Sequence, residues 1–186
     1  MNRRQRRRRA LVVRSLILGP IALLAAAGVV GLVLSPIHRQ VTRRVYPTSP
    51  ETVWGALTDL DGMPTWRQDL VALERLPGEG GTVRWRETGT DGAAVTYQRI
   101  EAEPPAKLVV ELALVEAGRR RWEYRIRPVD SGTELSVQEE RSFRNPIVRP
   151  FVRLFGSDRG RIEAFARDLA DRLKGHRQRI ATAINR

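Results

Sequence analysis

The hydrophobic pattern of the chain begins with an apolar run, residues 15–34, that contains no charged side chain. A helix rises about 1.5 Å per residue, so a run of about 20 residues matches a hydrocarbon core about 30 Å thick. The glycines and the proline inside the run are tolerated by helices in lipid. This pattern predicts a transmembrane helix over residues 15–37, after a basic arm over residues 1–14 and before a domain over residues 39–186.

The charges on either side of the run predict its orientation. Seven arginines precede the run, whereas Arg39, Arg43 and Arg44 are the basic residues that follow it closely. The positive-inside rule then places the N-terminus in the cytoplasm and the domain on the outer side of the membrane. A cleaved signal peptide is the alternative, because residues 25–27 are three alanines. We favour a single-pass anchor because the apolar run continues to Leu34.

From residue 70 onward the pattern changes to alternation of apolar and polar residues, which is typical of strands with one solvated face. The breaks between these segments are short and rich in Gly, Pro and Asp, so neighbouring strands are expected to be antiparallel. With an earlier β-branched segment, the predicted strands are residues 40–46, 70–76, 82–87, 93–102, 107–115, 119–128 and 133–143.

Helices are predicted on either side of these strands. Thr48 or Ser49 is expected to cap a helix that has Pro50 in its first turn, and a second short helix is predicted over residues 61–69. Asn145 is expected to open a C-terminal helical region that Gly156 interrupts. Beyond it, apolar residues recur at the spacing of an amphipathic helix, whose stripe must be buried on the apolar face of the sheet: Ile162, Phe165, Leu169, Leu173, Ile180 and Ile184.

Composition excludes several kinds of site. The chain has no cysteine, and its two histidines, His38 and His176, lie near the ends of the predicted domain, so thiol, Ser-His and His-based metal chemistry are not expected. The net charge of +12 is concentrated in the basic arm, since the remaining 26 lysines and arginines exceed the 21 acids by only five. No basic face is interleaved with aromatic residues, so nucleic acid is not an expected partner.

Two segments carry a resemblance to a known family. VYPTSPETVWGALTDLDGMPTWRQDL (residues 45–70) and VTYQRIEAEPPAKLVVEL (residues 95–112), with the long terminal helix, are similar to the START-like or SRPBCC superfamily of polyketide cyclases and lipid-transport proteins. The resemblance implies an α+β helix-grip fold, a curved antiparallel sheet wrapped around a long C-terminal helix, here preceded by one transmembrane helix. It also implies a cavity between sheet and helix for lipids, sterols, polyketides or other apolar ligands. A membrane anchor departs from the usual soluble member.

Glu139 and Tyr97 are the candidate catalytic residues. If the turn at residues 130–132 is centred, Trp122 pairs with Glu139, Tyr124 with Val137 and Arg127 with Glu134. Glu139 would then lie on the apolar face, where a carboxyl group suits acid–base work or the anchoring of a ligand. Alternatively it is solvated, or paired with Arg141 or another arginine. The residues expected to line the cavity are Trp66, Trp85, Tyr97, Leu112, Trp122, Tyr124, Glu139, Phe143, Phe165 and Leu169.

Together these observations predict a membrane-anchored protein that binds a hydrophobic small molecule or lipid in the cavity. A cofactor-independent cyclase or hydrolase-like enzyme is the alternative, as is a non-catalytic interaction module whose cavity is closed by side chains. Binding without catalysis is favoured. The expected partners are the lipid bilayer and the apolar ligand, with neither cofactor nor metal, and the sequence leaves the ligand's identity and the oligomeric state open.

Overall fold

The computed structural model describes residues 3–114, 118–155 and 159–184 of the chain. Short 3-10 turns lie at Met63–Thr65 and Glu79–Gly81. The helices and strands are α1 (Arg3–Val33), β1 (Ile37–Tyr46), α2 (Pro50–Thr58), β2 (Leu70–Leu76), β3 (Arg84–Gly89), β4 (Ala94–Glu103), β5 (Lys107–Leu114), β6 (Gly118–Val129), β7 (Gly132–Ser142), α3 (Val148–Phe155) and α4 (Arg159–Ile184). The predicted break at 115–117 and the helix restart at 156–158 lie outside the described residues.

The strands form one seven-stranded antiparallel sheet in the order β1-β7-β6-β5-β4-β3-β2. From β2 to β7 each strand pairs with the next strand along the chain, as the short connections require. The curved sheet and the long C-terminal helix confirm the expected α+β helix-grip fold. β1, which begins at Ile37 rather than at residue 40, forms one edge of the sheet beside β7.

The predicted register between β6 and β7 is confirmed. Trp122 lies opposite Glu139, Tyr124 opposite Val137 and Arg127 opposite Glu134. The tight turn between these strands uses Gly132, whose φ of 132° is rare for residues with a side chain. Because the pairing continues from this turn without a bulge, the apolar residues of both strands lie on one face and the charged residues on the other.

Two predicted helix caps are present. The Ser49 side chain accepts a hydrogen bond from the Thr52 amide at the start of α2, and Asn145 accepts one from the Ile147 amide ahead of α3. The prediction of a helix over residues 61–69 was wrong, since only the 3-10 turn at Met63–Thr65 forms. Pro64 lacks an amide donor there, and a 3-10 turn requires fewer such bonds than an α-helix.

The core lies between the sheet, α2 and α4. α2 contributes Val53 and Leu57, and α4 contributes Leu169 and Leu173, all of them buried. The latter two belong to the apolar stripe predicted for the C-terminal helix, whereas Ile180 and Ile184 have side chains outside the described part. Full burial of each such side chain stabilises the fold by about 1.5–3 kcal/mol.

The chain divides into two compact units, residues 1–38 with 143–157 and residues 39–142 with 158–186. Within the first unit α1 approaches the start of α3 so closely that a Cβ on Gly31 would lie 1.7 Å from the Pro146 carbonyl oxygen. Arg149 Nη1 donates hydrogen bonds to the carbonyl oxygens of Gly31 and Leu34, at 3.0 and 3.4 Å. These bonds satisfy carbonyl groups at the end of α1 that have no partner within the helix.

The predicted membrane helix over residues 15–37 differs from the structure at its C-terminal end. α1 ends at Val33, and Ser35 and Pro36 separate it from β1, because proline cannot continue the helical hydrogen bonding. The side chains of the basic arm and of residues 15–17 lie outside the described part. Among the residues that the structure does describe, no helix combines the length and the apolar character needed to cross a membrane.

Candidate functional site

A cavity of about 170 Å³ lies within the second unit, between the sheet, α2 and α4. Its lining combines apolar residues from five strands and both helices with a smaller number of charged ones. The apolar residues include Leu57, Met63, Leu108, Val110, Val137 and Ile162. An apolar enclosure with few polar groups is the usual character of a small-molecule site.

Aromatic side chains form one wall of this cavity. Trp85 stacks on Tyr97 with ring centroids 5.7 Å apart, and Tyr97 lies at the same distance from Trp122. Tyr124 meets Phe165 of α4 at 6.4 Å. The sheet produces this wall because Trp85 and Tyr97 lie directly opposite each other on β3 and β4, so both point to the same face.

Arg67 and Glu87 form a buried ion pair in the wall. Arg67 Nη1 donates to Glu87 Oε2 at 2.8 Å, and Trp85 Nε1 donates to Glu87 Oε1 at 3.0 Å. Arg67 also binds both oxygens of Asp69, at 3.1 and 2.9 Å. Burial works against the charged form of Asp69, but the hydrogen bonds from Arg67 hold its pKa below the usual value. The network therefore keeps charged groups beside an apolar wall with their partners in place.

Sequence reasoning did not select Arg67 and Glu87 as site residues, although a signal was present. Glu87 follows Trp85 by two residues on one strand, so the period of two places both on the apolar face. A carboxylate at such a position requires a partner, and Arg67 lies in the TWRQDL segment next to Trp66.

Tyr97 presents a polar atom to the cavity. Its hydroxyl group makes no hydrogen bond to any residue that the structure describes. Burial raises the pKa of Tyr97 to about 12, and the nearby charge of Glu87 contributes to the rise. Burial also raises the pKa of Tyr124. At neutral pH both side chains are protonated phenols, which can donate a hydrogen bond to a ligand but are poor proton acceptors.

Glu139 is buried, with 1% of its surface exposed, and it is also paired with arginines. Arg120 Nε donates to Glu139 Oε1, and Arg141 binds both carboxylate oxygens, at 2.9 and 3.2 Å. Glu139 does not belong to the cavity lining, whereas Arg120 does, and its guanidinium lies 4.8 Å from the Trp122 ring centre. The geometry thus makes Glu139 a residue that positions Arg120.

The structure brings five of the ten predicted cavity residues together on the wall: Trp85, Tyr97, Trp122, Tyr124 and Phe165. The other five lie elsewhere. Trp66 packs against Phe165 at 5.8 Å, Leu112 and Leu169 are buried outside the lining, Glu139 is held by its arginines, and Phe143 belongs to the first unit. A ligand-binding or catalytic role for any of these residues stays a prediction.

A second depression, about 460 Å³, lies between the segment from Arg44 to Thr48 and one side of α4. Tyr46 is the aromatic residue in its lining, and its hydroxyl already donates to the Ala166 carbonyl oxygen at 3.2 Å. The smaller cavity is the better candidate because it unites an aromatic wall with converging polar groups. Among the described residues, no cluster of three or more His, Cys, Asp or Glu side chains is arranged to hold a metal ion.

Comparison with known proteins gives a family match. The family model described as polyketide cyclase/dehydrase and lipid transport matches residues 38–176, which confirms the expected resemblance. No curated protein matches the chain.

Solved structures share the fold. A norcoclaurine synthase of Thalictrum is similar with a TM-score of 0.62 at 13% identity, over 76% of this chain and 96% of that one. A protein of Rhodobacter sphaeroides has a TM-score of 0.56 at 27% identity, over 76% and 94%. StfQ, a di-domain aromatase/cyclase of the steffimycin biosynthetic pathway, has a TM-score of 0.61 at 11% identity over 76% of this chain, which spans only 52% of StfQ.

Proposed function

Because the chain belongs to the polyketide cyclase/dehydrase and lipid transport family, we propose that it binds a hydrophobic small molecule or lipid in the cavity between the sheet and α4. The observation that carries this proposal is the aromatic wall, which would be in contact with water if no apolar ligand were bound. Each Å² of apolar ligand surface that leaves water for such a wall contributes about 25 cal/mol to the free energy of binding. The volume of about 170 Å³ lies below the range of about 300–1,000 Å³ for drug-sized ligands, so a small ligand, or part of a larger one, fits best.

The proposal includes a membrane anchor over residues 15–37, with the N-terminus in the cytoplasm and the domain over residues 39–186 on the outer side. It is supported by the apolar run itself and by the exposed apolar side chains of α1: Leu18, Ile21, Leu23, Leu24, Val29, Val30, Leu32 and Val33. Contiguous apolar surface of this kind marks sites of membrane or protein interaction. Tethering beside a bilayer would raise the effective concentration of a lipid ligand.

A cofactor-independent enzyme is the second candidate function. The Tyr97 hydroxyl favours it, because this group accepts and donates no hydrogen bond among the described residues. Norcoclaurine synthase and the aromatase/cyclase StfQ, which share the fold, are named for reactions. Binding is the better proposal because both oxygens of Glu87, the carboxylate whose charge acts on Tyr97, already accept hydrogen bonds. An open volume beside Tyr97 also argues against an interaction module with a closed cavity.

Two measurements on the full-length protein test the proposal. Native mass spectrometry after gentle extraction is expected to show a bound species, and the neutral dye N-phenyl-1-naphthylamine is expected to fluoresce on binding. Val110→Trp fills the cavity from β5 and Ile162→Trp fills it from α4, so both are expected to lose the bound species and the dye signal. Val71→Trp is the matched control, since Val71 is 62% exposed and lies outside the cavity lining.

The dye result distinguishes the alternatives. Binding that survives in both filled variants, with unchanged thermal unfolding, would show that the ligand lies elsewhere. If the wild type shows neither dye fluorescence nor a bound species by mass spectrometry, the proposal is contradicted and the closed interaction module is favoured. Turnover of a bound species, abolished in Tyr97→Phe without loss of binding, would favour the enzyme.

A further inference from the structure

The charge of the cavity wall is strongly biased. The lining contains five arginines and two acids: Arg67, Arg75, Arg99, Arg120 and Arg161, with Asp69 and Glu87. Three of the arginines are paired with carboxylates: Arg67 with Asp69 and Glu87, Arg75 with Asp61, and Arg120 with Glu139. Within the described part of the chain, the side chains of Arg99 and Arg161 form neither a hydrogen bond nor an ion pair.

Arg99 and Arg161 project from opposite walls of the same cavity. Arg99 follows Tyr97 by two residues on β4, so both side chains lie on the same face of the sheet, and Arg99 is half-buried. Arg161 precedes Phe165 by four residues on α4, which places both on one side of that helix. Arg161 itself is exposed. The two guanidiniums therefore lie at the border between the aromatic wall and solvent.

The electrostatic effect of Arg161 reaches the interior of the cavity. Burial raises the pKa of Tyr97, and the positive charges of Arg67, Arg120 and Arg161 oppose that rise. The charge of Arg161 also helps Arg67 to lower the pKa of Asp69 against the effect of burial. A negative group that enters beside Tyr97 would meet the same field.

We propose that the ligand of this cavity is an amphipathic anion, whose apolar body lies on the aromatic wall and whose single acidic group binds between Arg99 and Arg161. This inference rests on the proposed binding function and specifies its ligand class. The guanidinium fork matches carboxylate and phosphate oxygens alike, and charge-assisted hydrogen bonds are about twice as strong as neutral ones. The cavity volume of about 170 Å³ accommodates one or two rings or a short acyl chain, and any further part of the ligand would extend out of the cavity.

The experiment compares two probes of the same shape, 2-naphthylacetate and its neutral amide, by isothermal titration calorimetry on the full-length protein at neutral pH. The anion is expected to bind about tenfold more tightly than the amide. Arg99→Gln and Arg161→Gln are each expected to weaken anion binding by about threefold and to leave amide binding unchanged, since both side chains are partly solvated. The double variant is expected to abolish the preference. 2-Naphthylmethyl phosphate tests whether phosphate serves as well as carboxylate.

Arg127→Gln is the matched control, because Arg127 is exposed on β6 and lies outside the cavity lining. It removes the same charge and is expected to change neither affinity. Equal binding of anion and amide to the wild type would overturn the anion proposal and leave the proposed binding function intact. An equal loss of preference in Arg127→Gln would also overturn it, since net charge alone would then be responsible. Failure of both probes and of N-phenyl-1-naphthylamine to bind would overturn both proposals.

Discussion

Glu139→Gln tests the energetic role of the buried arginine–carboxylate cluster. The substitution preserves the size of the side chain and removes its charge, so Arg120 and Arg141 lose the carboxylate that they share. The side chains of the two arginines are only 16% and 12% exposed, so water compensates poorly for the loss. The glutamine amide group also adds a donor where the guanidiniums require an acceptor.

The magnitude follows from the contacts. Removal of one partner from a buried ion pair costs about 3–5 kcal/mol, and each hydrogen bond to a charged group contributes about 1.5–3 kcal/mol. Glutamine keeps one oxygen that can accept from one arginine, so we expect the free energy of unfolding to fall by about 3 kcal/mol. With a urea m-value of about 2 kcal/mol/M, the midpoint should fall by about 1.5 M.

Intrinsic fluorescence in urea is a suitable assay because all four tryptophans lie in the second unit: Trp54, Trp66, Trp85 and Trp122. Glu140→Gln is the matched control. Glu140 is the next residue on β7, and its partner Arg39 is 59% exposed, so this pair should contribute about 0–1 kcal/mol. A Glu139→Gln protein within about 1 kcal/mol of the wild type, or equal to Glu140→Gln, would refute the view that the cluster stabilises the sheet.

Further predictions concern the turns, the caps and the titration of the domain. Gly132→Ala should lower the free energy of unfolding by more than about 2 kcal/mol, since the added Cβ would lie 2.2 Å from the Tyr46 carbonyl oxygen. Gly92→Ala should lower it by only about 1 kcal/mol, because a Cβ there meets nothing within 4 Å. Similar urea midpoints for the two variants would contradict this prediction. Ser49→Ala should cost about 1 kcal/mol through loss of the α2 cap, and Ser49→Asp should restore most of it in the same assay. Burial raises the pKa of Tyr46 and of Tyr97 from 10.0 to about 12, so the unfolded chain loses these protons first and the free energy of unfolding should fall as pH rises from 10 to 12. Phenolate absorbance rising near pH 10 in the native protein would contradict the last prediction.

Local signals were sufficient to predict the antiparallel strands and the register of one pair, β6 and β7. Alternation identified the faces of β6 and β7, and the glycine turn between them fixed which residues lie opposite each other, so the placement of Glu139 across from Trp122 followed from sequence alone. Of the two partners of Glu139, Arg141 was named as an alternative and Arg120 was not, since Arg120 reaches Glu139 through a side-chain conformation that the period of two does not specify. The sequence had offered pairing with an arginine as an alternative to a role in the cavity, and the structure shows burial and pairing together.

The extent of the cavity was harder to predict than the face of the sheet on which it lies. Leu112 and Val110 share one face of β5, yet only Val110 belongs to the lining. Alternation assigns a side chain to a face, but the curvature of the sheet and the position of α4 determine how far along a strand the cavity extends. Phe143 lies outside the lining for a related reason, because it follows the end of β7 and belongs to the first unit, where its amide donates to the Pro36 carbonyl oxygen.

The order of strands in the sheet has a consequence for synthesis on the ribosome. β1 is the first strand to leave the exit tunnel, but its only neighbour in the described sheet, β7, is the last strand to be translated. The hairpins from β2 to β7 can form as each strand appears, whereas β1 must wait with unpaired backbone groups until translation has passed Ser142. Such long-range pairing is slow and leaves an open strand edge exposed to other chains. Nascent chains stalled before β7 should therefore be the species that requires a chaperone, and release of β7 from the tunnel should end that requirement.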